Sequence, residues 1–175
     1  MSDFNFASYL RTLASQHKDI LHSEQNPRFY KMTSLSQMEG VLTSLLTAKT
    51  PAIGINDTLE GRVFNNNADR TIDRQLYTFY IFGRASLFDH TERKNVTAAC
   101  KSIAVDFSQR IIADHQSDFA LSTSHGLRHL DVESFTYRTM GNLPDGLLAV
   151  VVSFVIDAPF SKTNETTPWE KGQTE

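Results

Sequence analysis

The segment Leu147–Ile156 reads LLAVVVSFVI, so it is apolar at both alternating sets of positions, and it follows a turn signal at Pro144-Asp145-Gly146. A strand with one face in water alternates apolar and polar residues, so this pattern predicts a strand that is covered on both faces. A second copy of the protein is one candidate for the second cover. Leu130–Arg138 does alternate, which predicts a half-exposed strand paired antiparallel with the first across the turn Gly141–Gly146.

Helical periodicity predicts two helices near the N-terminus. Residues 4–22 place apolar side chains three or four positions apart, which is typical of an amphipathic helix, and Asn26-Pro27 is its predicted end. A second helix follows a cap at Ser34 or Ser36 and ends near Pro51, since proline lacks an amide hydrogen.

A third, longer helix is predicted from about His90 to His115. Asp89 and Glu92 stand at the spacing of a capping pair, in which a side-chain oxygen accepts an exposed amide at the helix start. The apolar positions that follow at helical spacing, with Phe107 at their centre, form a stripe that faces the sheet.

The middle of the chain has β-strand character. Arg28–Thr33 is predicted as a short extended piece, and Ala52–Ile55 and Glu60–Phe64 as two short strands. The polar segment Asn65–Arg70 is predicted as a loop. Ile72–Arg84 is rich in aromatic and β-branched residues, which predicts a long strand with both faces at least partly covered.

Together these elements predict an α+β fold, with a mostly antiparallel sheet packed against one long helix and two additional N-terminal helices. At 175 residues the chain fits a single domain, residues 1–160. Residues 161–175 are polar apart from Trp169 and are expected to form a flexible tail.

Charge and hydropathy exclude several classes of function. The net charge is −3 without a basic cluster, so direct binding to nucleic-acid phosphates is disfavoured. No run of residues approaches the roughly 20 apolar positions of a membrane span, and the N-terminus lacks the pattern of a signal peptide, so neither membrane insertion nor secretion is expected.

Candidate chemistry is sparse. His125 and His129 are four positions apart with Asp118 and Asp131 nearby, but no HExxH pattern or cysteine pair completes a ligand set. Cys100, the single cysteine, falls on the apolar stripe of the long helix and is interpreted as a core residue. Phosphate-binding glycine loops and the GxSxG turn are absent. The sequence therefore predicts no metal, no cofactor and no enzymatic activity.

Two stretches carry a resemblance to a known family. They are LYTFYIFGRASLFDHTERKNVTAACKSIAVDFSQRIIADH, residues 76–115, and LDVESFTYRTMGNLPDGLLAVVVSFVIDAPF, residues 130–160. Their order, a strand before an aspartate-capped helix and then a hairpin ending in an apolar strand, resembles that of tail-terminator or neck proteins of tailed bacteriophages and prophages. The resemblance covers about residues 28–160 and is one of pattern, without a diagnostic short motif.

The resemblance implies a structural protein of the virion, assembled in the bacterial host cytoplasm. Members of the family form rings, commonly hexamers, that end the tail tube and join it to the head or neck. The implied partners are further copies of the chain, tail-tube protein and head-completion protein, with DNA passing through the ring. Recognition would depend on complementary interfaces and would require no cofactor.

The polar segment before the long strand is the candidate contact with these partners. The candidate interface residues are Asn65, Asn66, Asn67, Arg70, Arg74 and, on the tail, Trp169. Two other functions remain open at this stage. One is an unrelated homo-oligomeric structural module, and the other is a small enzyme whose site assembles from dispersed histidine, serine and aspartate residues.

Overall fold

The computed structural model describes residues 4–32, 43, 49–66, 70–121, 126–141 and 143–159. These residues form an α+β fold whose five-stranded sheet has the order β1-β2-β3-β5-β4. The pair β1–β2 is parallel, and the other three pairs are antiparallel. The elements are α1 (Phe6–Gln16), β1 (Phe29–Met32), β2 (Ala52–Asn66), β3 (Arg70–Arg84), α2 (His90–Leu121), β4 (Leu130–Met140) and β5 (Leu147–Pro159). The predicted fold class and the single long helix are confirmed.

The first N-terminal helix is shorter than predicted. The Asn5 side chain caps α1 by accepting a hydrogen bond of 2.9 Å from the Ser8 amide. The helix ends at Gln16 and does not reach residue 22. His17 adopts an extended backbone, and its Nδ1 accepts the amide of Asp19 at 3.2 Å. In a continued helix the Asp19 amide would instead donate to the carbonyl four residues earlier, so this local bond accompanies the early end of the helix. Apart from Thr43 and the residues next to Pro51, the predicted second helix lies outside the described residues. The prediction of two additional N-terminal helices is not borne out.

The long helix begins where the capping pair places it. The Asp89 carboxylate accepts a hydrogen bond of 2.9 Å from the amide of Glu92, and the Glu92 carboxylate accepts one of 2.9 Å from the amide of Ser86. The helix continues to Leu121, six residues beyond the predicted end at His115. Its stripe contacts the sheet through fully or almost fully buried side chains, namely Cys100, Ile103, Phe107 and Ile111.

The region between β1 and α2 differs from the predicted arrangement. The two short strands predicted at Ala52–Ile55 and Glu60–Phe64 are parts of one strand, β2, which has an irregular register between Asn56 and Glu60. Three residues of the predicted loop Asn65–Arg70 belong to strands, because Asn65 pairs with Thr71 and Asn66 pairs with Arg70, and residues 67–69 lie outside the described residues. A pairing across the hairpin is a non-local property, so the polar composition alone was misleading.

The apolar strand β5 is buried on both faces within one chain. Leu148, Val150, Val152 and Phe154 belong to the core under α2, and Leu147 and Ala149 belong to a second cluster with Met32, Ala52 and Phe82 on the opposite face. All of these side chains are at most 4% exposed. A second copy is therefore not required to bury this segment, which corrects the expectation that another copy supplies its second cover. The predicted antiparallel pairing with β4 is confirmed.

Candidate partner interface

The outer half of the β2–β3 hairpin extends beyond the buried part of the sheet. We call Glu60–Asn65 together with Thr71–Leu76 the β2–β3 arm. None of the arm residues is buried, and Val63 and Leu76 are 55% and 38% exposed. On the β3 side the arm pairs with the end of β5, whereas the described residues of β1 pair with Ile53–Asn56. In the described part of the chain no strand pairs with β2 along the arm.

Two edge irregularities mark the root of this arm. The β2 register shifts between Asn56 and Glu60, and the β4 register shifts between Asp131 and Thr136. The β2 shift lies opposite Leu76–Thr78 on β3, and the β4 shift lies opposite Ser153–Val155 on β5. These two segments pair with each other, so both shifts lie at the same level of the sheet. Bulges bend a strand and increase its twist, and they also hinder edge-to-edge pairing. The arm is therefore better suited to contact a partner through its faces than through a continuous strand ladder.

One face of the arm carries a cluster of two arginines, an aspartate and an aromatic ring. Arg74 binds Asp157 on β5 through two hydrogen bonds, of 2.7 Å from Nε and 2.5 Å from one terminal nitrogen. This hydrogen bonding raises the pKa of Arg74. The guanidinium carbons of Arg62 and Arg74 lie 5.5 and 5.3 Å from the centre of the Phe64 ring, within cation–π range. The cluster thus presents a stiff, partly apolar surface with fixed charges.

The opposite face is held to the core by a chain of hydrogen bonds along β3. The Tyr77 hydroxyl donates to Gln75 at 2.6 Å, and the Gln75 amide donates to Asp73 at 2.8 Å. Tyr77 itself is 7% exposed and contacts Phe6 and Phe154 edge-on and stacked, respectively. This series of hydrogen bonds begins at the buried ring of Tyr77 and runs outward. It therefore anchors the exposed arm to the packed part of the sheet.

The structure brings only some of the predicted interface residues to this surface. Asn65 is exposed on β2, Asn66 and Arg70 pair at the hairpin end, and Arg74 lies on β3. Asn67 and Trp169 lie outside the described residues.

Sequence reasoning missed three residues of the cluster. Arg62 and Phe64 alternate within a segment that was assigned as a strand, but nothing local indicates that they share a face with Arg74. Asp157 was missed because it is 83 positions from Arg74, so only the β3–β5 register brings the two together.

A second polar constellation lies between α1 and α2 and bears on the enzyme alternative. His17 Nε2 is 3.4 Å from an Asp106 carboxylate oxygen, and His17 Nδ1 accepts the Asp19 amide. Because Nδ1 accepts a hydrogen bond from the Asp19 amide, the ring proton is on Nε2, and both ring nitrogens are engaged. A general base needs a free ring nitrogen, so this histidine–aspartate pair is poorly arranged for proton abstraction.

Other chemistry finds little support in the described residues. They contain no group of three or more histidine, cysteine, aspartate or glutamate side chains that could hold a metal ion. None of their helices is long and apolar enough to cross a membrane. Burial raises the pKa of the Cys100 thiol to about 11, which fits a core residue and not a reactive thiolate.

Comparison with known proteins adds no assignment. No protein-family model matches the chain, and no curated protein matches it at a significant level.

Proposed function

We propose that this protein is a structural assembly protein of a phage-like tail, forming a ring that ends the tail tube and joins it to the head or neck. The observation that carries the proposal is the β2–β3 arm, which is open to solvent on both faces and bears apolar as well as charged side chains. The resemblance in sequence pattern to tail-terminator and neck proteins is a separate support for the proposal.

The energetics of the arm favour a partner. Among the described residues the arm pairs only with β5, along its β3 side, and no helix buries either of its faces. Val63 and Leu76 expose apolar surface that an interface would remove from water. Each Å² of apolar surface buried in this way contributes about 25 cal/mol of favourable free energy. The Arg74–Asp157 pair and the Phe64 ring already hold their positions, so little side-chain ordering remains to oppose binding.

In this proposal the copies of the chain form a closed ring, which the resemblance implies to be a hexamer, and the arm contacts tail-tube or head-completion protein. DNA would pass through the ring, and no cofactor takes part. The protein would reside in the virion after assembly in the bacterial host cytoplasm. An unrelated homo-oligomeric module is the second candidate, and it differs by having no affinity for tail-tube protein.

The test mixes the protein with its cognate tail-tube protein and follows light scattering, with electron microscopy of the tubes. We expect rings at tube ends for the natural protein. Val63→Lys should abolish capping without lowering the melting temperature, because Val63 is exposed and the new ammonium group stands opposite Asp73 across the hairpin. Val132→Lys on β4, at a side chain that is 40% exposed, is the matched control and should cap normally. A protein that stays monomeric in both conditions and never caps a tube would end the tail-terminator assignment.

A further inference from the structure

The outer edge of β4 offers backbone groups to a further strand. β4 is the last strand of the sheet, and within the described residues it pairs only with β5. From Thr136 to Met140 this pairing is regular and runs along Ser153 to Ala149. We call Thr136–Met140 the β4 edge. Its outward N–H and C=O groups form a template on which another extended segment can add.

This part of β4 lacks most of the features that block an edge strand. Natural edges are protected by proline, by bulges, by charges or by a covering element. The irregular register of β4 ends at Thr136, and the β4 edge itself contains neither proline nor glycine. Thr136, Tyr137, Arg138 and Thr139 are exposed. The one charge on the edge is that of Arg138, which disfavours a basic strand but not an acidic one.

The side of the edge that faces α2 carries cations and apolar surface. Lys101 Nζ lies 4.8 Å from the centre of the Tyr137 ring, and Tyr137 is 55% exposed. Lys94 stands two turns before Lys101 and Val105 stands one turn after it, so all three share one face of the helix. The positions of this face are 94, 97, 98, 101, 104, 105 and 108, and none of them is acidic. Val105 is 37% exposed.

The opposite side of the edge carries Arg138. Side chains alternate along a strand, so Arg138 points away from the face that Tyr137 shares with α2. Its partner in the ladder is Val151, which in turn pairs with Tyr80, and directly opposed residues lie on the same face of the sheet. Neither Arg138 nor Lys101 forms an ion pair with a described residue.

The charges around the β4 edge decide which strand fits it. The carboxylates of β4, Asp131 and Glu133, lie in its irregular part, where Asp131 accepts the Glu133 amide at 3.1 Å. The β4 edge and the α2 face above it therefore have cations on both sides and no carboxylate. An acidic residue of an added strand meets a cation on whichever face it takes, and cross-strand pairs of opposite charge are stabilising.

We propose that the β4 edge binds an extended acidic segment of a partner protein, which adds to the sheet beside β4. Backbone hydrogen bonds to β4 supply affinity, and the cations on the two faces select acidic side chains. A second copy of β4 fits less well, because its own arginine and lysine would approach those of the first. The inference does not rest on the proposed ring and uses a surface separate from the β2–β3 arm.

Two-dimensional proton–nitrogen NMR of the full chain with defined peptides tests this contact. The probe is a capped peptide of three Val-Glu repeats at millimolar concentration. Three Val-Lys repeats reverse the charge, and three Pro-Glu repeats keep the charge but lack half of the amide hydrogens. We expect the Val-Glu peptide to shift the amide signals of Thr136–Met140, and both control peptides to leave them unchanged at the same concentration.

Charge reversal on the protein supplies the matched variants. Lys101 and Arg138 are exposed, so Lys101→Glu/Arg138→Glu should fold normally. Its affinity for the Val-Glu peptide should fall by about tenfold, and it should bind the Val-Lys peptide instead. Arg11→Glu changes an exposed arginine on α1, which packs beside β1 and β2, and should bind like the natural protein.

Three results would overturn the proposal. They are the absence of shifts at the β4 edge with the Val-Glu peptide, equal shifts with the Pro-Glu peptide, and full Val-Glu binding by the charge-reversed variant. Shifts of the same signals with protein concentration, without any peptide, would assign the edge to a second copy and also overturn it. None of these readouts involves tail tubes, so each failure leaves the proposed function standing.

Discussion

Truncation of Phe107 is the sharpest test of how the core is built. Phe107 is 2% exposed at the centre of the α2 stripe, where its ring lies 6.1 Å from the ring of Phe79 and stacks on His17 at 5.1 Å. Removing the ring loses about 1.5–3 kcal/mol of burial, and the cavity left behind adds to this loss. We therefore expect Phe107→Ala to lower the free energy of unfolding by about 3–5 kcal/mol.

Urea unfolding followed by circular dichroism measures this change. With a denaturant dependence of about 2 kcal/mol per molar urea, a loss of about 4 kcal/mol moves the midpoint down by about 2 M. Val105→Ala on the same helix is the control, since Val105 is 37% exposed and should change the free energy by only about 0.5 kcal/mol. A loss below about 1 kcal/mol for Phe107→Ala would refute the assignment of α2 to the core.

Three further predictions concern metal, the C-terminal segment and pH. EDTA should leave the melting curve unchanged, and stoichiometric zinc or iron in freshly purified protein would contradict the view that His125 and His129 lack a ligand set. Deleting residues 162–175 should preserve cooperative unfolding, because their polar composition has no core-forming pattern; loss of soluble folded protein would show otherwise. Burial lowers the pKa of His22, whose Nδ1 accepts the Arg28 amide at 3.1 Å, so the fold favours its neutral form. Its contribution to stability should be present above the ordinary pKa of 6.5 and lost as the pH falls below it, and His22→Gln should reduce the drop in urea midpoint on acidification.

Several elements were predictable because their signals are local. The start of α2 depends on two carboxylates three positions apart, and both make the expected hydrogen bonds. The stripe through Phe107 repeats at helical spacing, and LLAVVVSFVI has too few polar residues to face water on either side. Such signals reflect short-range sterics, capping and periodicity, which a single sequence records directly.

The candidate interface was decided by tertiary structure. Whether Asn65 belongs to a loop or a strand depends on its pairing with Thr71, and the partner of Arg74 is an aspartate that the β3–β5 register brings beside it. The pairing of His17 with Asp106 likewise exists only because α1 packs beside α2. Pairing between distant segments is set by the whole sheet and core, so composition and periodicity indicate which segments are strands or helices but not which surfaces they build together.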